Sequence, residues 1–140
     1  MNLGYACINQ TLSKDKITSN RSMIKRTFIA KGIPYCSELA LQNTKDLFKI
    51  VKWNTRNNIN VFRMSSSIFP WMSEYELPDL QDWPEIKNIL KAIGKHANEN
   101  DVRLSFHPGP FNILCSPKPH VVEKTIKELD QHCFILDTMQ

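Results

Sequence analysis

The chain has 140 residues, of which 41% are hydrophobic and 23% charged, with a formal net charge of +4. This is the make-up of one soluble globular domain, residues 1–140, able to bury a core of its own, and it excludes a disordered chain. No run approaches the roughly 18 apolar residues of a membrane span, and Met1-Asn2-Leu3-Gly4-Tyr5 lacks the charged-then-apolar pattern of a secretory leader, so no membrane partner and an intracellular location, nuclear or cytoplasmic, are expected.

The first strand is predicted over residues 2–7 and is closed by polar Asn9, Gln10 and Thr11. The segment after it reads as long and irregular and gathers Lys14, Lys16, Arg21, Lys25, Arg26 and Lys31. Such a local basic excess suits a polyanion, and it equally suits a solvated loop. Ser37 is placed to cap a helix with Glu38 behind it, on which Ala40, Leu47, Ile50 and Val51 form the buried stripe until Asn57 and Asn58 stop it. The second strand follows over residues 59–64. Asp82 then caps a helix with Pro84 in its first turn, carrying Ile86, Ile89, Leu90, Ile93 and Ala97 on one face before the polar break at residues 98–101.

In the third strand Val102, Leu104 and Phe106 alternate with Arg103 and Ser105, and Pro108-Gly109 turns the chain directly after His107. Ser116 with Pro117 is expected to begin a last helix with Val121, Val122, Ile126, Leu129 and Cys133 as its stripe. Cys7, Cys36, Cys115 and Cys133 are widely spaced without a Cys-x-x-Cys pair, which points to reduced thiols rather than a zinc knuckle or a disulfide scaffold.

Strand and helix alternating three times imply an α/β fold with a parallel sheet and right-handed crossovers. Three parallel strands leave two unpaired edges, whereas such strands normally lie in sheets covered on both faces or closed into barrels. The pattern therefore predicts a partial (β/α)8 TIM-type barrel of about three βα units, since a complete barrel takes roughly 250 residues. A truncated domain is expected, because the chain stops within a helical stripe at Phe134-Ile135-Leu136-Asp137. The alternative is a small open sheet finished by a partner, and exposed edges favour a second polypeptide or an oligomer in either case.

Ligands and metals gather at the carboxyl ends of such strands. His107 arrives there, placed either to bind one or to hydrogen-bond its own turn. His96, His120 and His132 fall on helices, where surface or packing roles are expected.

Leu3-Gly4-Tyr5-Ala6-Cys7-Ile8-Asn9, the pair Asn20-Arg21, Asn43, Asn54, Phe62-Arg63-Met64-Ser65-Ser66, Phe69-Pro70 and Ser105-Phe106-His107-Pro108-Gly109 occur in a specific order and spacing. Together they resemble the N-terminal part of the ultraviolet-damage endonucleases along almost the whole chain. The resemblance implies a metal-dependent DNA repair nuclease on a (β/α)8 barrel, similar in fold to the three-zinc apurinic endonucleases. It implies nicking of damaged double-stranded DNA on the 5′ side of ultraviolet photoproducts, with a divalent metal, manganese in this family. Hydrolysis of an anionic phosphodiester needs metal ions to lower the pKa of the attacking water and to neutralise transition-state charge.

By the same resemblance His107 is a metal ligand, and Glu74 stands where relatives often carry a histidine. A carboxylate suits manganese, and a Glu74 turned to solvent is the alternative. No catalytic residue is carried over. Tyr5 and Asn9 match positions associated with the DNA site in enzymes that resemble nucleotide flippers, where inserted side chains offset lost stacking. Pro110 and Phe111 stand where relatives carry a polar residue and an aromatic, so Phe111 can still act as a wedge while Pro110 cannot hydrogen-bond a base edge. The alternative for Phe111 is a turn residue folded back on the barrel.

Arg63 and Ser65, with the serines after it, are placed to meet phosphate, which positions a duplex without reading its sequence. An Arg63 held by an interior carboxylate is the structural alternative. Because the resemblance covers only the first three strand-helix units, donors that relatives draw from later strands have no counterpart, and little or no nuclease activity is expected of the isolated polypeptide. The competing expectation is a non-catalytic DNA-binding or interaction remnant using the basic stretch, Tyr5 and Phe111.

Overall fold

The computed structural model describes residues 2–140. Strands β1 (Gly4–Ala6), β2 (Val61–Ser65) and β3 (Arg103–His107) form one parallel sheet in the order β1-β2-β3. After β1 come a single helical turn, α1 (Gln10–Ser13), and the long α2 (Lys25–Arg56); α3 (Trp83–Glu99) joins β2 to β3, and α4 (Pro119–Thr138) follows β3. The α/β class and the three strand-helix units are those read from the sequence. Among the described residues, no helix is long and apolar enough to cross a membrane.

Side chains alternate across a strand, so the register sorts them into two faces. Tyr5, Phe62 and Leu104 share one row, with Met64 and Phe106 in a second row on the same side. Phe62 and Met64 are fully buried against Leu47, Ile50 and Val51 of α2 and Ile86, Leu90 and Ile93 of α3. The rows Ala6-Arg63-Ser105 and Ser65-His107 lie on the other side. There Ala6, Arg63 and His107 are exposed, and β1 and β3 form the sheet edges.

The structure departs from the sequence reading in several places. The segment after β1 is not one irregular stretch: Asn9 caps α1 by accepting the Leu12 N–H at 3.0 Å, and α2 already starts at Lys25. Within α2, Gly32 breaks the helix at φ 64° and ψ −160°, a backbone region open only to glycine, and Pro34 then lies in the first turn of the second piece, where a missing N–H costs nothing. Ser37 is therefore not a cap. It is buried inside α2, donating its hydroxyl to Asp82 Oδ2 at 2.7 Å and accepting the Asp82 N–H at 2.9 Å, which pins the start of α3. Asp82 precedes α3, with Pro84 in the first turn, but its carboxylate is engaged by Ser37 and caps no amide of the helix.

A further departure is α4, which starts at Pro119 rather than at Ser116-Pro117; Ser116 Oγ accepts the Lys118 N–H just ahead of it. The expected stripe is rotated outward, with Ile126 and Cys133 exposed, while Thr125, Gln131, His132 and Ile135 are buried. Polar groups set this rotation because each of three finds a contact. The Thr125 hydroxyl donates to the Val121 carbonyl and accepts the Ile113 N–H. Gln131 Nε2 donates to the Tyr75 carbonyl at 2.8 Å, and the His132 ring lies flat on Phe106 with centroids 4.3 Å apart. The end of α4 presses on α3 at Gly94, where a Cβ would sit 1.6 Å from the Met139 carbonyl oxygen.

Candidate functional site

The loops that leave β2 and β3 converge at the carboxyl ends of the strands. Ser65 and His107 are register partners, so their side chains stand next to one another on the open face. His107 is exposed, and its Nδ1 lies 3.1 Å from the Pro108 carbonyl oxygen. With Nδ1–H donating there, Nε2 is the nitrogen left for a ligand, the arrangement usual for metal-bound imidazoles. Arg63, one residue pair back, reaches the Phe106 carbonyl at 3.5 Å and forms no ion pair among the described residues, so the carboxylate partner considered for it is not found there.

Cys7 completes the strand ends, its N–H donating to the Arg63 carbonyl at 2.8 Å. Burial raises its thiol pKa, while the charge of Arg63 and a hydrogen bond with Ser65 oppose the rise.

Beside these strand ends lies a cleft of about 270 Å³, lined among others by Ser66, Ser67, Trp71, Gly109 and Phe111. Phe111 stands at its edge 86% exposed, so it is not folded back on the body of the protein, and Pro110 lines the same cleft. Trp71 is the wall that sequence reasoning missed. It holds a left-handed backbone at φ 60°, stacks on Phe28 with centroids 4.7 Å apart and donates its Nε1–H to the Met23 carbonyl. The Phe69-Pro70 break is the signal in the sequence that marks this turn. Asn43, buried in α2, fixes the serine loop by donating to the carbonyls of Ser67 and Ile68 at 3.1 Å, and it also accepts the Arg21 N–H.

Tyr5 and Asn9 come together at the β1 edge, lining a separate hollow. The Tyr5 ring packs on Phe62 on the helix-covered side, and its hydroxyl donates to Asn54 Oδ1 at 2.7 Å while accepting Asn9 Nδ2 at 2.8 Å. Burial raises the Tyr5 pKa, partly offset by these two hydrogen bonds. Glu74 lies in the short turn Met72–Glu74, with its carboxylate on Lys124 Nζ at 2.9 Å. The Lys124 hydrogen bond is the main reason its pKa lies below the usual value. Glu74 is thus an exposed carboxylate that pairs with a lysine at the surface.

Among the described residues, no group of three or more His, Cys, Asp or Glu side chains could hold a metal ion. His107 presents an imidazole nitrogen at the strand ends, but the described residues do not by themselves fit a metal cluster.

The family model for UV-endonuclease UvdE matches residues 1–140. The chain belongs to the UV-endonuclease family. It is 39% identical over 138 residues to a relative from Acanthamoeba polyphaga mimivirus whose name proposes a UV-damage endonuclease, covering 98% of this chain and 42% of the relative. It is 34% identical over 140 residues to the UV DNA damage endonuclease of Clostridium perfringens, covering 100% of this chain and 32% of that one. The UV-damage endonuclease of Schizosaccharomyces pombe is also 34% identical over 140 residues, covering 99% of this chain and 23% of that one. The crystal structure of SacUVDE superposes with a TM-score of 0.85 at 28% identity, covering 99% of this chain and 46% of that one. The chain therefore spans less than half the length of each of these relatives.

The hydrogen bonds of the buried asparagines show what these side chains do. Asn43 holds the serine loop and Asn54 takes the Tyr5 hydroxyl, so two of the residues that carried the resemblance are scaffolding behind the site.

Proposed function

We infer that this chain is the damage-facing portion of a DNA repair endonuclease that nicks double-stranded DNA on the 5′ side of ultraviolet photoproducts. The observation that carries the inference is the family match over the whole chain, joined to the convergence of the Ser65–His107 pair, the serine loop and Phe111 at the strand ends. The three parallel strands are then part of a (β/α)8 barrel, in keeping with the likeness to SacUVDE over 46% of its length.

In this role Arg63 and the serines around Ser66 meet backbone phosphate, with two or more neutral hydroxyl donors beside one guanidinium. Phe111, exposed and mounted on a turn rather than in the core, is the ring available to fill space left by an extruded nucleotide. Asn9 is 5% exposed and Tyr5 is held by two side-chain hydrogen bonds, so these two shape the β1 loop and offer the duplex its edge. A divalent metal, manganese by expectation, belongs to the same proposal, with His107 as the donor this chain contributes and the remaining donors supplied from outside these residues.

The experiment is a mobility shift and a nicking assay on one plasmid, irradiated or not, with added manganese. The chain alone is expected to bind the irradiated form preferentially and to nick little. Equal binding of both forms contradicts the damage-facing role, and robust nicking abolished by His107→Ala contradicts the incomplete metal site.

A further inference from the structure

The outer side of α4 carries an apolar groove that takes no part in the strand-end site. It lies between α4 and the turn Leu77–Asp79, encloses about 750 Å³, and is floored by Leu77, Ile126 and Phe134. Its rim is acidic: Glu76, Asp79, Glu123 and Asp130 stand against a single cation, Lys127, which Glu76 already holds at 3.0 Å. Asp79, Glu123 and Asp130 form no ion pair among the described residues. At the base Gln131 is 6% exposed, its Nε2 is taken by the Tyr75 carbonyl, and its Oε1 has no donor. An apolar floor under an excess of negative charge, with an unfilled buried acceptor, fits a cationic segment that carries apolar anchors.

The same chain carries such a segment. Ile24 and Ile29 are 71% and 73% exposed at the start of α2, and exposed Ile33 follows across the Gly32 break. Lys25, Arg26 and Lys31 surround them without an ion pair among the described residues. We propose that a second copy of this chain seats its segment 24–33 in the acidic groove of the first. Both surfaces hang on the connection between β2 and α3, one through the Phe28–Trp71 stack and the other through the Leu77–Asp79 turn. In a two-fold dimer the contact is made twice, each copy giving a segment and receiving one. The isoleucines supply buried apolar area, while the charges set partner register and make the association salt-dependent.

Sedimentation velocity of the 140-residue protein tests this up to about 100 μM, at about 50 and about 300 mM salt. The expected result is a monomer–dimer equilibrium about tenfold weaker at the higher salt. Lys25→Glu with Arg26→Glu, and separately Glu123→Lys with Asp130→Lys, each weaken it by about tenfold or more, and combining all four restores it. Ile29→Gln weakens it while leaving its salt dependence in place. Circular dichroism matching the parent shows that each variant is folded. A wild-type protein that stays monomeric at low salt overturns the proposal, as does a four-charge swap that fails to restore pairing. A dimer indifferent to both reversals also overturns it and places association at the unpaired strand edges instead.

Discussion

One face of the sheet carries Phe62, Met64 and Phe106 into a layer of helices, while the other leaves Ala6, Arg63 and His107 in solvent. The same strands make both faces, separated by a single residue step, so the contrast lies in side-chain chemistry alone. It teaches that stability and function are divided by strand parity: even positions of β2 hold the fold together, and the odd position between them is free to meet a ligand.

Substitution on the two faces should separate these roles. Phe62→Ala removes a fully buried ring and is expected to cost about 3–5 kcal/mol in urea unfolding. Arg63→Ala, its neighbour, should stay within about 0.5 kcal/mol. Equal costs would break the comparison and mean that the open face is covered in solution.

The helix layer has an electrostatic clamp that the open face lacks. Asp46 is 2% exposed and bonded to Arg21 and Lys49. Burial raises its pKa, but hydrogen bonds from Lys49, Arg21 and the Thr18 amide together outweigh this and leave it lowered. The stabilisation is therefore present above the unfolded carboxyl pKa and is lost as pH falls through the lower folded value. Asp46→Asn should cost about 2–3 kcal/mol at neutral pH and flatten the acid limb of the stability curve.

A second acid-sensitive group lies directly behind the site. Burial lowers the His132 pKa from 6.5 to about 4, and both ring nitrogens lack partners. The unfolded chain takes up the proton first, so stability is full above pH 6.5 and declines as pH falls towards about 4. Thermal melts of His132→Phe across this interval should lose that decline, and an unchanged profile would mean that the ring is solvated.

On the open face the effects are on binding. Arg63→Ala should lower the slope of log affinity against log salt by about one phosphate contact on any duplex, damaged or intact. A slope unchanged from the parent would place the guanidinium away from the backbone.

How much of this was legible in the sequence follows from what hydrophobic periodicity can register. The stripe Ile86, Leu90, Ile93 and Ala97 locates α3, and the alternation of Val102, Leu104 and Phe106 locates β3, because apolar side chains there do the packing. The start of α2 was hidden because Gly32 and Pro34 punctuate it as a loop would, and Ser37 spends its hydroxyl on Asp82, 45 residues away. The inner face of α4 was hidden because Thr125, Gln131 and His132 are buried through hydrogen bonds and stacking. In the site, Pro108-Gly109 marked the turn that exposes His107 and Phe111, whereas Trp71 is fixed by Phe28 and Met23, contacts that no local pattern announces.

The strand-end cleft is proposed to face damaged DNA. Fluorescence anisotropy on one duplex, with and without a single defined photoproduct, measures this directly for the parent and for Phe111→Ala. The expected result is tighter binding of the damaged duplex by the parent, with about 1 kcal/mol of that preference lost in the variant and its melting temperature unchanged. Equal affinity for both duplexes, or a preference that survives removal of the ring, would contradict it.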